Sequence, residues 1–211
     1  MGEFITIKEN VQAEIIEKKS KFIANMFYVE SCEEAEKIIK DTRKKYFDAK
    51  HNCIAYRVIE NEQIIERSND DGEPSGTAGG PMLNILQKNN LCNVLIIVTR
   101  YFGGILLGTG GLVRCYSAGC LGAIEKVETI EIEPGIEMTI TLDYPDFQNV
   151  QYYFGKNGIN ILNSKYENDI ECVVEMSILT KEEFLADVKN RNINIKKVEI
   201  GKSKYVKIYH K

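Results

Sequence analysis

The 211-residue chain has only two histidines, His51 and His210, no C-x-x-C pair, and no apolar run approaching the length of a membrane span. Each scarcity removes a class of function. A bilayer-crossing helix needs about 20 consecutive apolar residues, so no membrane partner is expected. Two histidines, one of them beside the C-terminus, do not assign by spacing to a Ser-His-Asp or Cys-His set. His51 and Cys53 share one face of a strand, but a lone histidine there is more simply a hydrogen-bonded structural residue. The six cysteines (32, 53, 92, 115, 120 and 172) lack zinc-ligand spacing. A disulfide framework does not suit a chain of this size, so small buried thiols are expected. The first ten residues lack the basic and apolar regions of a signal peptide, and a cytoplasmic location is expected. There is no internal repeat or low-complexity tract.

Bulk charge is also missing. A net charge of −4 argues against a protein that coats nucleic acid through its overall field. The distribution is uneven, however. Lys189 to Lys211 holds eight basic residues and one acid, a local +7, and Thr99 to Arg114 holds two arginines and no acid. Any anion-binding face must therefore be local.

What the chain has in quantity is glycine, concentrated in two places. One is D-D-G-E-P-S-G-T-A-G-G-P at Asp70 to Pro81; the other is V-T-R-Y-F-G-G-I-L-L-G-T-G-G-L-V-R at Val98 to Arg114. Glycine is costly to order, so such density points to tight turns or bare backbone. The second run follows a strand and precedes a helix, yet both nucleotide fingerprints fail. Rossmann spacing from Gly108 requires glycine at position 113, which is Val113. A Walker A loop from Gly103 requires lysine where Thr109 stands. What survives is a glycine-rich turn aimed at a helix N-terminus, where free N–H groups and the dipole favour an anion.

On that reading Arg100 and Arg114 neutralise phosphates and Tyr101 stacks on a base. The backbone around Gly103, Gly104, Gly108, Thr109, Gly110 and Gly111 receives the anion, and Ser75, Thr77 and His51 complete the ligand- or RNA-binding set. The competing reading is that the glycines only permit turns and close helix–sheet packing, with Arg100 paired to an acid. Asp70, Asp71 and Glu73 place three carboxylates within four positions. They are weak candidates for holding magnesium, and turn chemistry with arginine pairing is the commoner outcome. No catalytic residue and no cofactor is assigned.

Strands are expected over 11–18 and 21–28, then a helix opened by a Ser31–Glu34 capping box. Strands follow at His51–Ile59 and Gln63–Arg67, joined by a turn at Glu60-Asn61-Glu62. A helix runs from Gly80-Pro81 to Lys88, a strand buried on both faces from Val94 to Thr99, and a helix from Gly111 to Val127. Glu133-Pro134-Gly135 reads as a linker, giving domains 1–133 and 134–211. Beyond it, strand 136–142, helix 147–154, strands 159–166 and 170–178, a helix with a Thr180–Glu183 capping box, and a basic strand from Ile193 give the order βαββαβ, a ferredoxin-like arrangement. The fold class is α+β, with a two-layer α/β first domain.

Three segments carry a resemblance to a known family. They are A-K-H-N-C-I-A-Y-R at Ala49 to Arg57, D-D-G-E-P-S-G-T-A-G-G-P-M at Asp70 to Met82, and V-T-R-Y-F-G-G-I-L-L-G-T-G-G-L-V-R-C-Y at Val98 to Tyr116. The chain resembles the IMPACT family, whose bacterial branch is often called YigZ, over nearly its whole length. The resemblance implies a first domain of the type of elongation factor G domain four and some ribosomal proteins, with a left-handed crossover. Eukaryotic relatives regulate translation under amino-acid starvation, acting on a kinase that phosphorylates an initiation factor. They do so through an additional N-terminal protein-binding domain that has no counterpart in this sequence. No catalytic residue transfers, and no metal-ligand set supports the peptidase label some relatives carry. The implied function is a non-catalytic cytoplasmic protein that binds RNA or the ribosome and modulates translation, with a protein of the translation machinery as a further partner. The alternatives are an enzyme or small-ligand protein acting on a phosphorylated metabolite or nucleotide at the glycine loops, and a protein-binding module.

Overall fold

The computed structural model describes residues 4–61 and 63–208, so Glu62, His210 and Lys211 lie outside the described residues. The chain divides into two compact units at Ile130/Glu131.

The first unit runs β1 (Phe4–Ile7), β2 (Val11–Glu17), β3 (Ser20–Tyr28), α1 (Cys32–Lys45), β4 (His51–Glu60), β5 (Gln63–Asn69), α2 (Gly79–Lys88), β6 (Val94–Tyr101) and α3 (Gly108–Ile124). Its sheet has the order β2-β3-β6-β4-β5, and every neighbouring pair is antiparallel. Strands β3 and β4 therefore run the same way, with β6 inserted between them. The Val94–Thr99 run is buried on both faces, as its unbroken apolar character implies. Val94, Ile96 and Val98 join the cluster formed with Met82, Leu86 and Tyr116 of α2 and α3. Leu95 and Ile97 join a second cluster with Ala35 and Ile39 of α1. Helices thus cover both faces, and the unit has three layers where two were expected. Each fully buried aliphatic side chain here contributes about 1.5–3 kcal/mol. Ser31 caps α1, its Oγ accepting from Glu34 N at 3.1 Å. The Glu34 carboxylate returns to Glu30 N at 2.8 Å, one residue outside the expected box.

In the second unit β7 (Thr129–Leu142), which begins just before the division, is followed by a 3-10 turn (Tyr144–Asp146). Then come α4 (Phe147–Lys156), β8 (Asn160–Tyr166), β9 (Ile170–Ser177), α5 (Ile178–Lys189) and β10 (Lys197–Lys207). Antiparallel pairings give the order β10-β7-β9-β8. The alternating residues Ile136, Met138, Ile140 and Leu142 of β7 and Ile170, Cys172, Val174 and Met176 of β9 pack against Val150, Phe154 and Phe184. Gly158, at φ +70°, ends α4 in the left-handed region.

Three expectations are corrected here. Glu133-Pro134-Gly135 is not a linker but part of β7. Proline is tolerated because pairing with β9 starts only at Gly135. Glycine is required there because a Cβ would lie 2.6 Å from Met176 O and from Val206. Helix α5 is capped not by Thr180 but by Ser177, which accepts from Thr180 N at 3.0 Å. The last strand starts at Lys197 rather than Ile193. Among the described residues, no helix is long and apolar enough to cross a membrane.

Candidate functional site

Strand order and register decide what meets what. Pairings His51↔Arg100, Lys21↔Tyr101 and Ile54↔Asn69 bring the starts of β3 and β4 and the ends of β5 and β6 to one end of the first sheet. Both glycine-rich loops leave from that end, so they are spatial neighbours. The residue that joins them is Glu73. It is 8% exposed, and its Oε1 accepts from Arg100 Nη1 at 2.7 Å and from Tyr116 Oη at 2.8 Å. His51 Nε2 stands 4.0 Å from the same oxygen. His51 Nδ1 lies 2.8 Å from Asp71 O; a carbonyl only accepts, so Nδ1 carries the proton.

The outcome for Arg100 is therefore a correction. Its guanidinium is not offered to solvent as a phosphate ligand. It is 7% exposed, held by Glu73 and flanked by the Phe22 and Phe102 rings at 5.5 and 5.6 Å. Its Nε has no hydrogen-bond partner among the described residues. The strand end carries Arg100 inward, and the loop after β5 supplies the carboxylate that permits a buried charge.

The three loop carboxylates do not converge as a metal site would require. Asp70 sits on the N-terminus of α2, accepting from Gly76 N (2.8 Å), Ala78 N (2.9 Å) and Gly79 N (2.8 Å). It fills that helix's anion site from within. Asp71 pairs with Arg43 at 2.7 Å and accepts from Asn52 N at 2.7 Å. Glu73 is committed as above. Among the described residues no group of three or more His, Cys, Asp or Glu is placed to hold a metal ion.

Other candidates are likewise committed to internal hydrogen bonds. Thr77 is buried, its hydroxyl donating to Pro74 O at 2.6 Å, so it is a turn residue rather than a ligand contact. Gly103 donates its N–H to Ser20 Oγ at 3.1 Å and is not free for an anion. Its glycine identity is enforced, because a Cβ would fall 2.0 Å from Lys19 C. Tyr101 donates to Asp48 at 2.7 Å, and that hydrogen bond is the main cause that pushes its phenol up to about 12. That bond ties the hydroxyl of this half-buried side chain to Asp48. Cys53 donates to Asp70 O at 2.9 Å, and burial pushes its thiol up to about 12, which disqualifies it as a nucleophile beside His51.

What stays open to solvent is smaller. Ser75, Gly104, Gly108, Thr109, Gly110 and Arg114 are exposed, whereas Gly111 is buried. Helix α3 starts at Gly108 with no side-chain cap and no acid in its first turn, so its first N–H groups face outward. Arg114 folds back over that turn, Nη1 lying 3.7 Å from where a Gly110 Cβ would be. The β2–β3 turn adds Lys18 and Lys19, at φ +45° and +66°, exposed and without an ion pair among the described residues. Sequence reasoning missed these lysines and the role of Tyr116. The signals were present, K-K at the bend between two strands and a tyrosine closing the third motif. In the second unit part of the basic tail is paired with acids. Lys196 meets Asp143 and Asp169 at 2.7 and 2.6 Å, and Lys204 meets Glu175 at 2.9 Å.

Fold and cluster together define a two-sheet α+β protein whose signature loops are locked to each other by a buried acid and show a cationic rim outside. Residues 18–124 match the Impact N-terminal domain, and residues 140–191 match a domain of unknown function (DUF1949). The chain is 34% identical to the IMPACT family member YvyE of Bacillus subtilis, over 95% of this chain and 93% of that one. It is 33% identical to the IMPACT family member YigZ of Escherichia coli, over 86% and 91% of the two chains. A crystal structure of a hypothetical protein matches with a TM-score of 0.65 at 29% identity, covering 96% of this chain and 98% of that one. The chain belongs to the IMPACT family.

Proposed function

We propose that this chain is a non-catalytic cytoplasmic protein that contacts ribosomal RNA and modulates translation. The contact is the loop end of the first unit. Arg114, Lys18 and Lys19 neutralise phosphates there, and the N–H groups of Gly108, Thr109 and Gly110 donate to phosphate oxygens of the RNA backbone. Arg100, His51 and Thr77 act from beneath, by holding the loops in place, and Tyr101, tied to Asp48 by its hydroxyl, flanks the contact. The observation that carries the reading is the set of uncompensated cations beside an uncapped helix start, in a chain of net charge −4. Family membership supports the translational part. The same reading takes the second unit as ferredoxin-like, supported by its βαββαβ order, and the first as the elongation-factor-G domain-four type.

The test is co-sedimentation with purified bacterial ribosomes across a salt series. Each phosphate contact contributes about 0.7–0.9 to the slope of log affinity against log salt, so three contacts give about 2–3. Lys18→Ala, Lys19→Ala and Arg114→Ala should each flatten it by about one contact. Binding that ignores salt refutes the proposal.

A further inference from the structure

Arg100 is held between two aromatic rings. Its guanidinium lies 5.5 Å from the centre of the Phe22 ring and 5.6 Å from that of Phe102. Behind Phe22 stands Tyr116, edge-on with ring centres 5.2 Å apart. Glu73 accepts from both Arg100 and Tyr116, at 2.7 and 2.8 Å, and so ties the column together. Phe22, Tyr116 and Arg100 are buried. The last member is not. Phe102 is 56% exposed, with the guanidinium over one ring face and solvent taking the other. The column thus ends in a flat ring, backed by a pinned cation and open outward. Shielding Arg100 from water needs only apolar bulk, which leucine supplies; it does not need a plane. Phe47 is more exposed still, but no ring or guanidinium backs it among the described residues.

The surroundings of that ring narrow the occupant. The next residue, Gly103, packs on the β2–β3 turn, its Cβ position falling 2.0 Å from Lys19 C, so Phe102 is one residue from the lysine turn. Gly104, at φ +84°, has open space where a Cβ would be. No acid occurs from Thr99 to Arg114. A partner's lysine or arginine would meet a ring that already carries a cation on its far face, beside further cations. A purely apolar partner would leave Lys18 and Lys19 without a counter-charge. A nucleotide brings a neutral plane and a phosphate on one short tether, which is the combination this loop end offers. Unpaired bases are the ones free to stack on protein rings, since duplex bases are stacked on each other.

We infer that Phe102 is a stacking platform for an unpaired RNA base whose flanking phosphates lie on Lys18 and Lys19. The inference rests on the RNA contact proposed above and gives it a substrate class, single-stranded loops or bulges instead of duplex. Arg100, fixed by Glu73, holds the ring in place before RNA arrives, so little side-chain freedom is lost on binding.

Fluorescence anisotropy tests it with the full chain, a labelled oligouridylate of about ten nucleotides, and a blunt RNA duplex of equal length. The wild type should bind the single strand more tightly than the duplex. Phe102→Leu keeps apolar cover on Arg100 but removes the plane, and should weaken single-strand binding by about 5–150-fold, the scale of one base–aromatic stack. Phe102→Tyr should retain it. Neither change should alter the salt slope, whereas Lys18→Ala with Lys19→Ala should flatten it. No binding of the oligouridylate by the wild type, wild-type affinity in the leucine variant, a tyrosine variant as weak as leucine, or no preference for the single strand over the duplex overturns the inference. Co-sedimentation with purified bacterial ribosomes separates it from the reading beneath. If Phe102→Leu sediments as the wild type does, in a salt-dependent way, the platform falls and the ribosome reading stands. Sedimentation that needs the ring, without ring-dependent binding of the oligouridylate, assigns Phe102 to a protein and also overturns the inference. Ring-dependent binding of the oligouridylate with no sedimentation removes the ribosome reading and leaves the platform.

Discussion

Replacing Glu73 by glutamine is the sharpest perturbation available, because one carboxylate oxygen serves two buried partners. Glu73→Gln keeps the size and one acceptor oxygen for Tyr116, but removes the charge facing Arg100 at 2.7 Å. Arg100 has no compensating acid among its described contacts, and its Nε is already unpartnered. Leaving one member of a buried pair unpaired costs about 3–5 kcal/mol. Against a typical total of about 5–15 kcal/mol that is a large fraction. With a urea dependence of about 2 kcal/mol per molar, the midpoint for the first unit should fall by about 1.5–2.5 M. Far-UV circular dichroism follows the transition, and alkylation of the buried Cys53 reports the first unit separately. Removing both charges should hurt less. Glu73→Gln with Arg100→Met should recover part of the loss, giving a coupling energy above about 1 kcal/mol in a double-mutant cycle. If Glu73→Gln unfolds at the wild-type urea concentration, the cluster does not hold the loops and the account of Arg100 is wrong.

Three further outcomes follow from contacts already described. Gly103→Ala forces a Cβ against the Lys19 backbone, 2.0 Å from its carbonyl carbon, and should destabilise by about 2–3 kcal/mol in urea melts; a neutral effect would mean that Gly103 does not pack on the β2–β3 turn. Asp70→Ala strips three N–H partners from the start of α2 and should cost about 1–2 kcal/mol, with Asp70→Asn retaining part, as read by thermal unfolding. The Cys53 thiol is raised in the fold from 9.0 to about 12, so its contribution is complete below pH 9 and is lost as pH climbs toward about 12. Cys53→Ala should flatten that alkaline loss, and fast alkylation of native Cys53 at pH 8 would contradict the burial that causes it.

Much of the framework was legible in the residues. The alternation in β7 and β9, the unbroken apolar run in β6, and Ser31 before α1 all depend on local pattern, and local pattern is what a single sequence displays. The direction of Arg100 was not legible. Whether an arginine at a strand end points to water or inward depends on a carboxylate 27 positions earlier returning to meet it, and only strand order fixes that. Lys18 and Lys19 were passed over because a two-residue bend reads as punctuation, although its tip lies beside Gly103 once the sheet closes. Glu133-Pro134-Gly135 misled for the opposite reason. Proline followed by glycine is a strong local stop, but here two neighbouring strands use the glycine to come close.

The placement of β6 has a consequence for the order of assembly. Residues 11–28 and 51–69 can each zip into a hairpin as soon as they leave the exit tunnel, because their pairings are local. Neither hairpin touches the other along the sheet; both wait for Val94–Tyr101 to slot between them. Until that late segment is synthesised, each half carries an open edge and half a greasy face, so β6 is the keystone that decides when this unit becomes safe from aggregation.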